Sequence, residues 1–247
     1  GMAAIQAAAG RVPLVFSVQS TALTEVTALA QWAEKVGFYA IQISPPYYWA
    51  PTDEDTYQWY KAVHDATSTI QFAVYNIPWN SIDMSVDLLV RMATSLDRCK
   101  TVKYATKRLL VEQEVAELSK YYAVIHNNRG FSISTMMKGA TGFIMDLSMV
   151  WPAHAFKLYD AILKKNYQVA MEENSVIDWP YNVFMEKMLA ISSGEGNILR
   201  EALAAQGLVS DAPVSRLPSQ SYTKEQRAEL RAVLKKMGMP NVTVANL

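Results

Sequence analysis

The 247 residues are half apolar and one-fifth charged, with Lys plus Arg equal to Asp plus Glu at 23 each. That balance leaves no global field to favour nucleic acid or an anionic membrane surface, so no nucleic-acid or membrane partner is expected and small molecules are the expected ligands. The single cysteine, Cys99, excludes an intramolecular disulfide and a thiolate metal cluster, and no apolar run approaches the ~18 residues of a membrane span.

These features lead to the expectation of a cytoplasmic, reducing environment, with Cys99 a plain core thiol and no metal or cofactor. No secretory pattern opens the chain, and Gly1 before Met2 reads as a tag remnant outside fold reasoning. The length suits one α/β barrel or two smaller domains.

In chain order, six short apolar and β-branched runs read as strands: 12–18, 39–44, 70–77, 100–105, 122–127 and 141–147. Amphipathic segments lie between them. Leu23, Val26, Leu29, Ala30 and Ala33 share one helical stripe that Gly37 stops, and "DEDTYQWYKAVHDAT" and "SVDLLVRMATSLDR" each open with acids in the first turn. Alternation at roughly 25–30 residues per unit predicts a parallel sheet with right-handed crossovers, either doubly wound or a barrel. No G-x-G-x-x-G or P-loop follows the first strand, which weakens the nucleotide-binding alternative. Residues 2–150 are expected to form the β/α part and 151–247 a C-terminal helical region packed on it.

The residue that demands explanation is Lys103, set inside the strand "KTVKYA" although lysine is rarely buried without a partner. Strand alternation puts Thr101, Lys103 and Ala105 on one face, and Tyr75 on the corresponding face of the preceding strand. In a barrel both would point inward near the C-terminal strand ends, where barrel enzymes keep their sites. A desolvated lysine and a phenol are the parts of Schiff-base catalysis: a neutral amine attacks a ketone, and the phenol moves the protons. The other reading is a lysine at a strand end with its stem packed and its ammonium in solvent.

At "PPYY" (45–48), "YNIP" (75–78) and the strand lysine, the sequence resembles the dihydrodipicolinate synthase and N-acetylneuraminate lyase family of class I aldolase-type (β/α)8 TIM barrels. The closing segments "NILREALAAQGL" and "LPSQSYTKEQRAELRAVLKKMGM" resemble it too. The resemblance implies that Lys103 is the Schiff-base lysine and Tyr75 the proton-relay phenol. It further implies that Tyr48 reaches a neighbouring subunit's site in a homo-oligomer, a dimer or tetramer, and that Ile144 offers its backbone carbonyl to a bound 2-oxo acid.

Several positions depart from that family's pattern. Where an arginine follows "YNVP" in dihydrodipicolinate synthases, "WNSID" places Trp79 and Asn80, which argues against that particular synthesis. Tyr104 stands where an acid commonly follows the lysine, and "HNNRG" brings His126 and Arg129 into a turn that is usually acidic. Trp49 and Trp79 on mouth loops would suit a larger or aromatic 2-oxo acid, or would pack in a subunit interface. His64 and His154 lack metal-ligand spacing.

"MAAIQAAAGRVP" resembles the end of the family's second helix, so the first two strands and the paired-threonine "TTGE" loop have no counterpart in this chain. The expectation is therefore an incomplete barrel holding the third to eighth family strands, with open edges that favour self-association. Two functions stay open at this point. One is a lyase, aldolase or dehydratase, acting on pyruvate or a larger 2-oxo acid through a lysine imine. The other is an N-terminally truncated, catalytically impaired member that binds a keto acid or serves as an assembly partner.

Overall fold

A computed structural model describes residues 1–128, 130–192, 194–210 and 213–243. They divide into two units, Gly1–Ile144 and Met145–Leu247.

The first unit holds one six-stranded sheet, all parallel, in the order β1 (Val15–Val18), β2 (Ala40–Ile43), β3 (Gln71–Asn76), β4 (Cys99–Tyr104), β5 (Ala123–His126) and β6 (Gly142–Phe143). Spatial order equals chain order, as expected when each strand is followed by a crossover helix. Except for β4, the strands are shorter than the apolar runs that signal them. The last is only two residues, because Asp146–Met149 turns into a 3-10 helix instead of extending.

Helices α1 (Met2–Ala8), α2 (Leu23–Val36), α3 (Asp53–Asp65), α4 (Val86–Ser95), α5 (Val111–Leu118) and α6 (Ser132–Met137) complete this unit. α3 begins at a full capping box between Thr52 and Asp55, which satisfies two otherwise orphaned N–H groups. α2 ends at Gly37, whose φ of +93° is costly for any residue with a Cβ.

The two faces of the sheet differ in chemistry. Phe16, Val18, Ile41, Ile43, Phe72, Val74, Val102, Tyr104 and Val124 point into the helix-covered core together with Val26, Tyr60, Leu89 and Leu118. The opposite face carries Ser17, Gln42, Tyr75, Thr101 and Lys103, none of them buried. A register shift between Phe72 and Ala73 leaves Lys100 out of the pairing, so the two lysines of β4 are not equivalent. Lys100 is exposed and donates to the Ala93 carbonyl (3.0 Å), whereas Lys103 lies in register between Tyr75 and Ile125.

The second unit contains the 3-10 turn and α7 (Pro152–Leu163), α8 (Tyr167–Asp178), α9 (Pro180–Ile191), α10 (Glu195–Ala205) and α11 (Lys224–Lys236). Its own core is built from Leu147, Phe184, Met185, Met188, Ile198, Ala202, Leu230 and Leu234. No described helix is long and apolar enough to cross a membrane.

Candidate active site

The site is assembled by the β3–β4 ladder. Tyr75 pairs directly with Lys103, and the lysine Nζ lies 5.0 Å from the centroid of the phenol ring. Each residue is one position from the C-terminal end of its strand, so the chain turns away above them and leaves that end open to loops. The Asn80 side-chain amide donates to the Tyr75 hydroxyl oxygen (3.0 Å), which fixes where the phenol can hold a proton.

The loop after β2, which carries Tyr47, Tyr48 and Trp49, is anchored at its root from α3. The Tyr60 hydroxyl donates to the Ile43 carbonyl (2.5 Å), and the Trp59 indole N–H donates to Ser44 (3.1 Å). The Ser81 hydroxyl then ties Pro46 to the loop after β3 through a 2.9 Å bond. The aromatics themselves stay outside the core: Tyr48 is 83 % exposed, and Trp49 meets it edge-on at 5.7 Å. Trp79 is half-exposed beside Asn80. Ile144 follows β6 on the Lys103 side of the sheet, and its N–H donates to the His126 carbonyl (2.8 Å).

His126 is not brought to this group. It pairs in register with Tyr104, alternation turns it to the helix-covered face, and it sits edge-on to Phe131 with no exposed surface. Burial pulls its imidazole down to about pKa 4, only partly opposed by the Asn128 side chain, so it is neutral near pH 7. Arg129 lies outside the described residues. Cys99 is buried in the core, and burial pushes its thiol up to about 12.

Behind β4 lies a polar network that the sequence did not announce. The Tyr104 hydroxyl donates to Glu114 (2.6 Å), and Arg108 donates to the same carboxylate through Nε (2.6 Å) and to the Tyr104 oxygen (3.1 Å). Arg108 also pairs with Asp83 (3.0 Å), which in turn accepts from Thr106 and Lys107. Buried Asn76 bonds both Ala105 (2.8 Å) and Met84 (2.9 Å). The only sequence signal was the departure at "WNSID" and at the residue after Lys103.

With the geometry in view, comparison with known proteins settles the lineage. The family model for the dihydrodipicolinate synthetase family matches residues 2–237. This chain belongs to that family. Lyase chemistry is the enzyme class that goes with the membership. A 4-hydroxy-tetrahydrodipicolinate synthase of Bradyrhizobium diazoefficiens is 31 % identical over 240 residues, which cover 96 % of this chain and 77 % of that protein. Among solved structures, the dihydrodipicolinate synthase of Aquifex aeolicus superimposes with a TM-score of 0.81 at 26 % identity, over 96 % of this chain and 78 % of that one. A catalytic lysine mutant of Ruminococcus gnavus sialic acid aldolase shares the fold, with a TM-score of 0.79 at 19 % identity over 95 % of this chain and 75 % of that one.

Proposed function

We propose that this family member is a lyase, an aldolase or dehydratase, that binds pyruvate or a larger 2-oxo acid as an imine on Lys103. The observation that carries the reading is the in-register pairing of Lys103 with Tyr75 at the C-terminal end of parallel strands, with the amine 5.0 Å from the ring.

In this reading the neutral Lys103 amine attacks the C2 carbonyl of the 2-oxo acid to give a carbinolamine. Tyr75 delivers the proton with which the C2 hydroxyl leaves as water, and the cationic imine that results draws electrons from C3. Proton loss at C3, or cleavage of the C3–C4 bond, then gives an enamine on Lys103. Protonation at C3 and hydrolysis return the amine. Asn80 orients the phenol, Ile144 supports the keto acid through its carbonyl, and Trp79 and Trp49 border the side on which a substrate tail extends. Tyr48, exposed in the single chain, belongs in this reading to the site of a second copy, within a barrel of the (β/α)8 type. His126, on the other face of the sheet, takes no part.

The test is borohydride reduction with a panel of 2-oxo acids, followed by mass mapping of the modified peptide. The expected result is one adduct on Lys103, absent in Lys103→Ala. An adduct on Lys100 or Lys107, or none with any 2-oxo acid, would leave the non-catalytic, assembly-partner reading in its place.

A further inference from the structure

We propose that Asp83 is a positioning residue for the Lys103 chemistry: it clamps the turn that carries Asn80 to the turn that leaves Lys103, and thereby sets the Tyr75 phenol relative to the amine. The proposal rests on the Schiff-base reading above.

Three consecutive residues, Thr106, Lys107 and Arg108, follow Lys103 by three to five positions, and all three donate to Asp83. Asp83 Oδ2 accepts from the Thr106 hydroxyl (2.8 Å) and the Lys107 N–H (2.9 Å), while Oδ1 pairs with Arg108 Nη1 (3.0 Å). Asp83 itself belongs to the turn after β3. On one side of it Asn80 holds the Tyr75 hydroxyl (3.0 Å), and on the other the Met84 N–H donates to Asn76 (2.9 Å). One carboxylate therefore joins the two turns that rise from the two candidate catalytic strands.

The clamp is separable from the fold. If Asp83 is removed, the Ala105 N–H still donates to the Asn76 carbonyl (2.9 Å), and the Asn76 amide still holds the Ala105 carbonyl (2.8 Å). The strands stay in register although Asn76 loses a weaker 3.4 Å bond to Asp83, and Arg108 still donates to the Met84 carbonyl (3.1 Å); what is lost is the tie of Thr106 and Lys107 to the turn on which Asn80 rides. The role also demands a carboxylate. It must accept from a backbone N–H, a hydroxyl and a guanidinium together, and an amide would turn its N–H₂ group toward either the Lys107 N–H or the Arg108 guanidinium, neither of which can accept.

Arg108 supplies the internal control, because its far side is held by a different acid. Its Nε donates to Glu114 Oε1 (2.6 Å), and Glu114 touches neither Thr106 nor Lys107 through any described hydrogen bond. Glu114→Gln therefore removes a charge from the same arginine while leaving the two turns joined.

The experiment uses the full chain, with pyruvate as the probe. Borohydride trapping at Lys103 is measured against pyruvate concentration to separate the saturating rate from the half-saturating concentration, and the thermal midpoint of each variant is recorded. The expected result for Asp83→Asn is a saturating rate lower by about tenfold or more, with half-saturation within about twofold, since proton delivery fails and not encounter. Glu114→Gln should keep the rate within about twofold. In a Tyr75→Phe background Asp83→Asn should cost little further rate, because its effect passes through the phenol.

If Asp83→Asn does not fold, Thr106→Val, which removes one of the same bonds from the opposite turn, should reproduce the rate loss in part. Rates that fall for both acids in proportion to thermal midpoint, or an undiminished rate in Asp83→Asn, overturn the clamp while leaving the Schiff base standing. Absence of any wild-type adduct removes the Schiff base and the clamp together.

Discussion

Protonation of His126 is a perturbation whose direction burial decides. The ring is fully buried, no described residue bonds either ring nitrogen at hydrogen-bonding geometry, and burial lowers its pKa to about 4 from an ordinary 6.5. The unfolded chain therefore takes up a proton near pH 6.5 that the folded chain refuses until about pH 4. Stability from this group is fully present above pH 6.5 and is lost as pH falls through that window. Between about pH 7 and about pH 4.5 the linkage amounts to about 2 kcal/mol, since each tenfold drop in proton affinity on folding is worth about 1.4 kcal/mol.

The assay is urea unfolding of wild type and His126→Leu at those two pH values. Taking the difference between the proteins at each pH cancels every group they share, including His154, which burial also lowers against the pull of Glu173. Relative to wild type, the leucine variant should gain about 2 kcal/mol on going to the lower pH. A difference that stays constant within about 0.5 kcal/mol would mean that His126 reaches water or a hydrogen-bond acceptor that holds its imidazolium, and the buried, unpaired placement would be wrong.

Tyr75→Phe should slow adduct formation on Lys103 by about 10²-fold without abolishing it, read as the borohydride trapping rate at saturating pyruvate. Arg98→Lys should cost about 2–4 kcal/mol in urea unfolding: the buried guanidinium donates to the carbonyls of His64, Thr67 and Ile70 and to the Thr67 hydroxyl, a fork that an ammonium cannot match. Glu34→Gln should cost about 1–2 kcal/mol above pH 4.5, after allowance for solvent screening, and progressively less as pH falls toward 2. Partial burial raises that carboxyl, but the Thr69, Ile70 and Ser68 N–H groups and the Thr69 hydroxyl outweigh it and hold it at about 2. Cys99 should stay unmodified by a thiol reagent in native protein near pH 8 and react on unfolding, as checked by intact mass.

The sequence by itself determined the element order and the face on which Lys103 stands. Period-2 and period-3.6 patterns are local, and a parallel sheet built of crossover units repeats one local rule, so chain order became spatial order. Lys103 was legible for the same reason: a lysine interrupts an apolar strand and alternation sets it opposite the apolar residues, while its level with Tyr75 comes from the register of the two strands. His126 shows where that reasoning stopped. It was grouped with the site because its turn departs from the family pattern, yet in the register with Tyr104 it faces the helices, and a face is decided by pairing and not by proximity in sequence. The joining of Asp83 to residues 106–108, and of Asn80 to the phenol, was likewise decided only in three dimensions. These contacts link residues 23 to 25 positions apart in one case and five in the other, through turns whose backbone follows no period. Charged and polar side chains in such turns find partners by where the strands deliver them, and that delivery is a property of the sheet as a whole.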